Sequence, residues 1–225
     1  GDSGTLTRVP KSEVYAVIES DLNSAISALP AQKSTDGRAT SFTAHALLGK
    51  VYLYQGKYSE AANILEPLIG LYTLPSNPGS VFLVSGENGP ESVFEIQHSK
   101  ESNGWNWGWL PQSTEGNFGV IHHGIRGYNG PTYSSGWSFN VPTDEFHKAF
   151  KSGDKRRDAS ILDIVKWAED NNASYNEGYE HTGYFNNKYI PRQGYSKNTM
   201  ELNYENNYRY IRYADVLLMA AEANS

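Results

Sequence analysis

Trp105, Trp107 and Trp109 occupy alternate positions in ESNGWNWGWLPQ, residues 101–112, with only Asn106 and Gly108 between them. An indole is a flat apolar plate that loses little rotamer freedom when it is covered. Asn103, Asn106 and Gln112 bring amides that both donate and accept. A second group follows: Arg126, Tyr128, Asn129, Tyr133 and Trp137. Plates of this kind bury the C–H face of a pyranose, while amides and a guanidinium bond its hydroxyl rim. The expected chemistry is recognition of a neutral oligosaccharide through Trp105, Trp107, Trp109, Tyr128, Tyr133 and Trp137. Asn103, Asn106, Gln112, Asn129 and Arg126 are its expected polar partners. The same rings have a competing use, which is to staple a glycine-rich loop onto the body of the protein.

Other chemistries find less support. Glycosidic cleavage needs two carboxylates about 5–9.5 Å apart across the sugar, and Glu101 and Glu115 flank the tryptophans. No G-x-S-x-G nucleophile or phosphate-binding loop accompanies them, and the expectation is no catalysis. His122 and His123 are adjacent, so they do not face together on a helix or strand. No H-x-x-x-H or nearby carboxylate completes a ligand set, so no metal and no cofactor is expected. With no cysteine, disulfides, thiol catalysis and thiolate-held zinc are excluded. A net charge of −6 and the lack of a Lys/Arg run set nucleic acid aside. No run approaches the ~20 apolar residues of a membrane span. Neither a signal peptide nor natural-looking ends are visible, and an internal fragment is expected.

The elements that must carry these residues are mostly helical. Residues 12–29 place Tyr15, Ile18, Leu22, Ala25, Ile26 and Leu29 on one face, with Ser12 as cap and Pro30 as stop. In SFTAHALLGKVYLYQGKYSEAANILEPLIG two helices meet at Gly56, with Phe42, His45, Leu48, Tyr52 and Leu53 along the first. Leu48, Gly49, Tyr52 and Ala61 match the tetratricopeptide spacing, with His45 in place of the usual Trp. One repeat cannot bury its own face. Residues 12–70 therefore read as tetratricopeptide-type helices, 71–140 as an aromatic-rich loop region, and 141–225 as helices and loops, all within a single domain. ESVFEIQH alternates as a short strand. Thr143 caps a helix over DEFHKAF that Gly153 should end. Asp154, Arg156, Arg157 and Asp158 are expected to fix the turn that follows, and His45 to sit satisfied in the core. Near the end, Tyr208, Tyr210 and Tyr213 are expected in the core. Arg212 and Asp215 are expected to serve as ion partners or caps beside the helix that begins with Val216, Leu217, Met219 and Ala220. A tetratricopeptide scaffold that binds peptides is the rival role, though it leaves the tryptophans unexplained.

IRYADVLLMAAEA, residues 211–223, closely resembles the signature helix of the SusD/RagB family of outer-membrane glycan-binding lipoproteins. The segments SEVYAVIESDLNSAISALP, RATSFTAHALLGKVYLYQGKYSEAANIL, ESVFEIQH and VPTDEFHKAFKSGDKRRDASI resemble its other landmarks in order and spacing. The resemblance implies a mostly α fold with tetratricopeptide-like hairpins bearing long irregular loops that form a shallow glycan site. It implies docking onto a SusC-like TonB-dependent transporter and an outward-facing outer-membrane location. Membrane attachment would be only through a lipid anchor on a cysteine that this chain lacks.

Overall fold

The computed structural model describes residues 8–31, 35–101, 115–197 and 202–225. The expected ligand residues Asn103, Trp105, Asn106, Trp107, Trp109 and Gln112 lie outside the described residues. The fold is mostly α, and the chain divides into two compact units.

The first unit comprises Gly1–Leu74, Pro90–Phe94 and Tyr210–Ser225. Its helices are α1 (Lys11–Ala28), α2 (Ser41–Leu53), α3 (Tyr58–Leu65) and α8 (Tyr213–Ala223). No side chain of α1 is fully buried, and its start is set by Pro10 rather than by the expected Ser12 cap. Proline fixes φ and lacks the N–H that a first turn leaves unpaired. Helix α2 opens on a reciprocal cap between Thr40 and Thr43. It packs against both α1 and α3, and α3 packs on α8. Between α2 and α3 the chain turns at Gly56, whose φ is +72°. A Cβ on Gly49 would stand 2.5 Å from the Leu65 side chain, so α2 and α3 approach closely because position 49 has no side chain. The Ser41 carbonyl bonds His45 Nδ1 at 2.7 Å, a local tie in place of the packing that the usual Trp supplies. Ala46, Leu65, Leu68, Val93, Ile211, Tyr213 and Val216 form this unit's core.

The signature segment is a strand followed by a helix. Strand β4 (Tyr208–Arg212) pairs with β1 (Ser92–Ile96) and runs straight into α8. The tyrosines divide accordingly. Tyr213 is buried and its hydroxyl accepts the Gly70 N–H at 2.8 Å. Tyr208 and Tyr210 are 47% and 49% exposed, against the expectation of core positions. Strand alternation turns Arg209 and Ile211 inward instead. Glu91, 4% exposed, bonds Arg212 Nη1 at 2.8 Å, and its carbonyl accepts the Tyr213 N–H. Burial pushes the Glu91 carboxyl up from its ordinary value, and Arg212 partly offsets that. Asp215 accepts the Arg212 backbone N–H at 2.9 Å, the expected capping role. Asp215→Ala should therefore lower stability by about 1 kcal/mol, the usual net worth of one lost hydrogen bond. A urea melt checks this, and no shift in midpoint would contradict the assignment.

The second unit comprises Pro75–Gly89 and Glu95–Arg209. It contains α4 (Gly119–His122), α5 (Asp144–Ala149), α6 (Lys155–Ser160) and α7 (Ile164–Asn171). Its short strands β2 (Ile161–Asp163) and β3 (Tyr184–Asn186) run antiparallel, with Leu162 opposite Phe185. Thr143 caps α5 as expected, but α5 ends at Ala149. Gly153, φ +80°, belongs to the turn before α6 rather than ending α5. Asp154 caps α6 and holds the Arg156 guanidinium, an exposed pair that keeps its carboxyl down at about 2. Two apolar clusters fill the unit. One gathers Ile125, Tyr128, Tyr133, Leu162, Ile164, Phe185 and Ile190; the other gathers Val120, Ile121, Leu202 and Tyr204.

Candidate functional site

The site is built from the close passage of two glycines. After α4 the chain doubles back, so that Ile125 bridges Ser135 in parallel. A Cβ on Gly124 would lie 2.6 Å from the Gly136 Cα, and one on Gly136 would lie 2.3 Å from the Gly124 Cα. No other residue type lets the two backbones pass at that distance. The next three residues are then bonded to the same turn. The Trp137 N–H donates to Ile121 O at 3.0 Å, Ser138 to Gly124 O at 2.8 Å and Phe139 to His122 O at 2.8 Å. Arg126 reaches across and donates from Nη2 to Trp137 O at 2.8 Å, while its own N–H donates to Ser138 Oγ.

This ladder presents rings side by side. Trp137 lies 5.0 Å from His122 and 6.0 Å from Phe139, and Phe139 stacks on His122 at 19°. A second segment is brought alongside by backbone bonds between Asn129 and Ser174 in both directions, and by the Asn176 N–H donating to Arg126 O at 2.8 Å. Gly178 then sits so close that a Cβ there would meet Ser138 at 3.3 Å. The result is an open cleft of about 660 Å³, lined by Arg126, Trp137, Phe139, Asn140, Glu177, Tyr179 and Glu180 together with Ser138, Val141 and Gly178. That volume lies within the ~300–1,000 Å³ of small-ligand sites.

Two properties set its chemistry. Large apolar rings are left uncovered: Phe139 is 53% exposed and Tyr179 90%. The rim is polar and slightly acidic, with one guanidinium against two carboxylates. Backbone strain also collects here. Ser138, Asn140 and Glu180 have φ of +57°, +54° and +54°, half of the non-glycine residues in that region among the described residues. Such conformations persist where surrounding structure holds them, and they cluster at ligand sites.

Of the residues singled out in the sequence, Arg126 and Trp137 meet in this cleft. Tyr128 and Tyr133 do not line it; they are 8% and 4% exposed, with rings 5.9 Å apart. The Tyr128 hydroxyl donates to Pro131 O and accepts from Trp167 Nε1, and Tyr133 lies under the Arg192 guanidinium. Burial pushes the Tyr133 phenol up. Both hold the unit together, which is the stapling use of an aromatic. Asn129 serves through its backbone. Phe139, Tyr179, Asn140, Glu177 and Glu180 were not singled out. Phe139 follows Trp137 by two residues in WSFN, and Tyr179 sits in a stretch, 171–208, rich in tyrosine; both were visible as aromatics without a place.

The remaining candidates resolve into structure. Burial lowers the His123 imidazole below its ordinary 6.5, which keeps it neutral at pH 7, and His122 packs on rings. Glu101 pairs with Lys197 at 3.3 Å. The Ser99 N–H donates to Glu115 O at 2.9 Å, so the residues flanking 102–114 are bonded to each other. No helix among the described residues is long and apolar enough to cross a membrane.

The fold and the signature strand and helix are those of SusD-like proteins, and the comparisons with known proteins agree. Residues 164–225 match the SusD family model. The chain is similar to SusD-like protein P2 of Formosa agariphila, 28% identical over 97% of this chain and 44% of that protein. Among solved structures it is similar to a laminarin-binding SusD-like protein, with TM-score 0.85 and 40% identity over 96% of this chain and 50% of that one. It is also similar to surface glycan-binding protein A of Bacteroides thetaiotaomicron in complex with laminarihexaose, with TM-score 0.79 and 25% identity over 95% and 50%. The chain thus spans about half the length of these relatives.

Proposed function

We propose that the chain carries the sugar-holding part of a non-catalytic, cell-surface glycan-binding protein that delivers oligosaccharide to a SusC-like TonB-dependent transporter of the outer membrane. The observation that carries the sugar reading is the cleft of Trp137, Phe139 and Tyr179 rimmed by Arg126, Asn140, Glu177 and Glu180. Exposed rings bury C–H faces, and the rim bonds hydroxyls. The two rim carboxylates against one guanidinium favour an uncharged glycan, and the family's laminarin and laminarihexaose relatives point to a laminarin-type glucan. Trp105, Trp107 and Trp109, with Asn103 and Asn106, are proposed to add further plates and rim groups. The α2–α3 hairpin is proposed to be of tetratricopeptide type and to support the fold beside the transporter, on the strength of the Gly49–Ala61 spacing and the close approach at Leu65.

Tyr179 offers a clean test. It is almost fully exposed, so Tyr179→Ala should leave the melting temperature unchanged. It should weaken laminarihexaose binding about tenfold, the scale of one aromatic contact in a binding hot spot. Affinity unchanged on substitution would remove Tyr179 from the site. No binding of laminarin by the unsubstituted protein would remove the glucan assignment.

A further inference from the structure

A second pocket of the same unit, about 570 Å³, shares no lining residue with the aromatic cleft. Ser76, Asn77, Lys155, Asp158, Asn187 and Arg192 supply its polar groups, and no aromatic ring lines it. A sugar's C–H face would therefore find no plate there.

Its charges lean to the positive side. Lys155 makes no ion pair among the described residues. Asn77 Oδ1 is occupied by the Gly79 N–H at 2.9 Å, which leaves the amide N–H₂ as its open end. Asn187 is spent on both sides: Nδ2 donates to Asp158 O at 2.9 Å, and Oδ1 accepts from Arg192 Nη2 at 3.1 Å and from Tyr133 O–H at 3.3 Å. Arg192 lies over the Tyr133 ring and keeps further N–H groups unassigned. Ser80 donates to Asn77 O. The one carboxylate on the lining, Asp158, is held by Arg157 Nε at 2.9 Å. What remains is a lining with two positive charges against one carboxylate already paired with Arg157, in a chain whose net charge is −6. Charged donors of this kind bind oxyanions most strongly.

We infer that this pocket is an oxyanion site that takes the sulfate or carboxylate substituent of an acidic saccharide, apart from the neutral sugar rings bound at the cleft. Lys155 and Arg192 outnumber the one carboxylate on the lining, Asp158, and that balance favours a charged substituent.

Calorimetry on the intact protein tests this at constant ionic strength, with four probes: a sulfated oligosaccharide, its desulfated counterpart, an oligouronate and inorganic sulfate. The expected result is that the sulfated chain or the oligouronate binds at least about tenfold tighter than the uncharged chain, as a charge-assisted contact allows. Lys155→Gln and Asn77→Asp should abolish that preference, and Lys148→Gln, which lies off the pocket, should keep it. Because Lys155 and Asn77 are exposed, melts of these variants should match the unsubstituted protein. Inorganic sulfate that binds as tightly, with the same dependence on Lys155, assigns the site to the free anion; weaker sulfate binding assigns it to the saccharide-borne group. Equal affinity for charged and uncharged chains, or a preference that survives both substitutions, overturns the site.

Discussion

Arg209→Met is expected to destabilise the protein by about 3–5 kcal/mol, the scale seen when one partner is taken from a buried charge group. The Arg209 side chain is 2% exposed. Its guanidinium lies 3.3 Å from Glu87 Oε1 and 3.8 Å from Glu95 Oε1, and it donates to Asn207 O at 2.6 Å and Leu83 O at 2.7 Å. Glu95 is equally buried, and Asn207 Nδ2 donates to its second oxygen at 3.0 Å. Two carboxylates thus share one guanidinium away from water. Burial, with Glu95 nearby, pushes the Glu87 carboxyl above its ordinary 4.5, and Arg209 works against that rise. A raised folded-state value means that the folded protein holds the proton more tightly. Glu87 therefore contributes stability that is complete below the unfolded value and is lost as pH rises through the folded one. Without Arg209 that loss is larger, so the deficit should be greatest at neutral pH and shrink on acidification through the carboxylate range. Urea melts at several pH values check this. A deficit independent of pH would mean that packing, rather than charge, is what Arg209 supplies. Adding Glu95→Gln to Arg209→Met should recover part of the loss, which distinguishes an uncompensated charge from a cavity.

Gly136→Ala is expected to be nearly as damaging, at about 3 kcal/mol, the upper end of ordinary overpacking costs. The added Cβ would stand 2.3 Å from the Gly124 Cα and 2.7 Å from Ile121 O, and both are backbone with no rotamer to yield. Relief requires the Trp137–Phe139 ladder to move away from α4. The substitution should therefore lower the melting temperature and loosen the cleft together, and glycan affinity should fall beyond what the unfolded fraction explains. Full glycan affinity in a destabilised Gly136→Ala protein would show that the ladder does not set the site.

The helices that carry a long 3.6-residue period were legible in the sequence: α1, the α2–α3 pair and α8 stand where apolar spacing puts them. Their start signals were less reliable, as Pro10 in place of Ser12 shows. Elements made by tertiary pairing were hidden. β2 and β3 are three residues each, too short for alternation to register. Helix α7 has eight residues, a few apolar, inside a polar stretch. Strand β4 misled for a definite reason. Its tyrosines look like core residues and its arginine like surface, yet the strand turns Arg209 inward to meet Glu87 and Glu95, which lie far away in sequence. The site divided the same way. Trp137 and Arg126 were recognisable by residue type. Phe139 and Tyr179 come to line one cleft only because two glycines let one segment double back and backbone bonds from Asn129 and Arg126 bring 174–180 beside it. Tyr128 and Tyr133, alike in composition, are placed in the core by the same folding.

The most direct measurement is calorimetric titration of laminarihexaose into the unsubstituted protein and the Phe139→Ala variant, with melts of both. Phe139 is about half exposed, so stability should change little, while affinity should fall roughly 10- to 30-fold for loss of a central aromatic contact. An unchanged affinity in a normally folded Phe139→Ala protein would contradict the placement of the glycan site in this cleft.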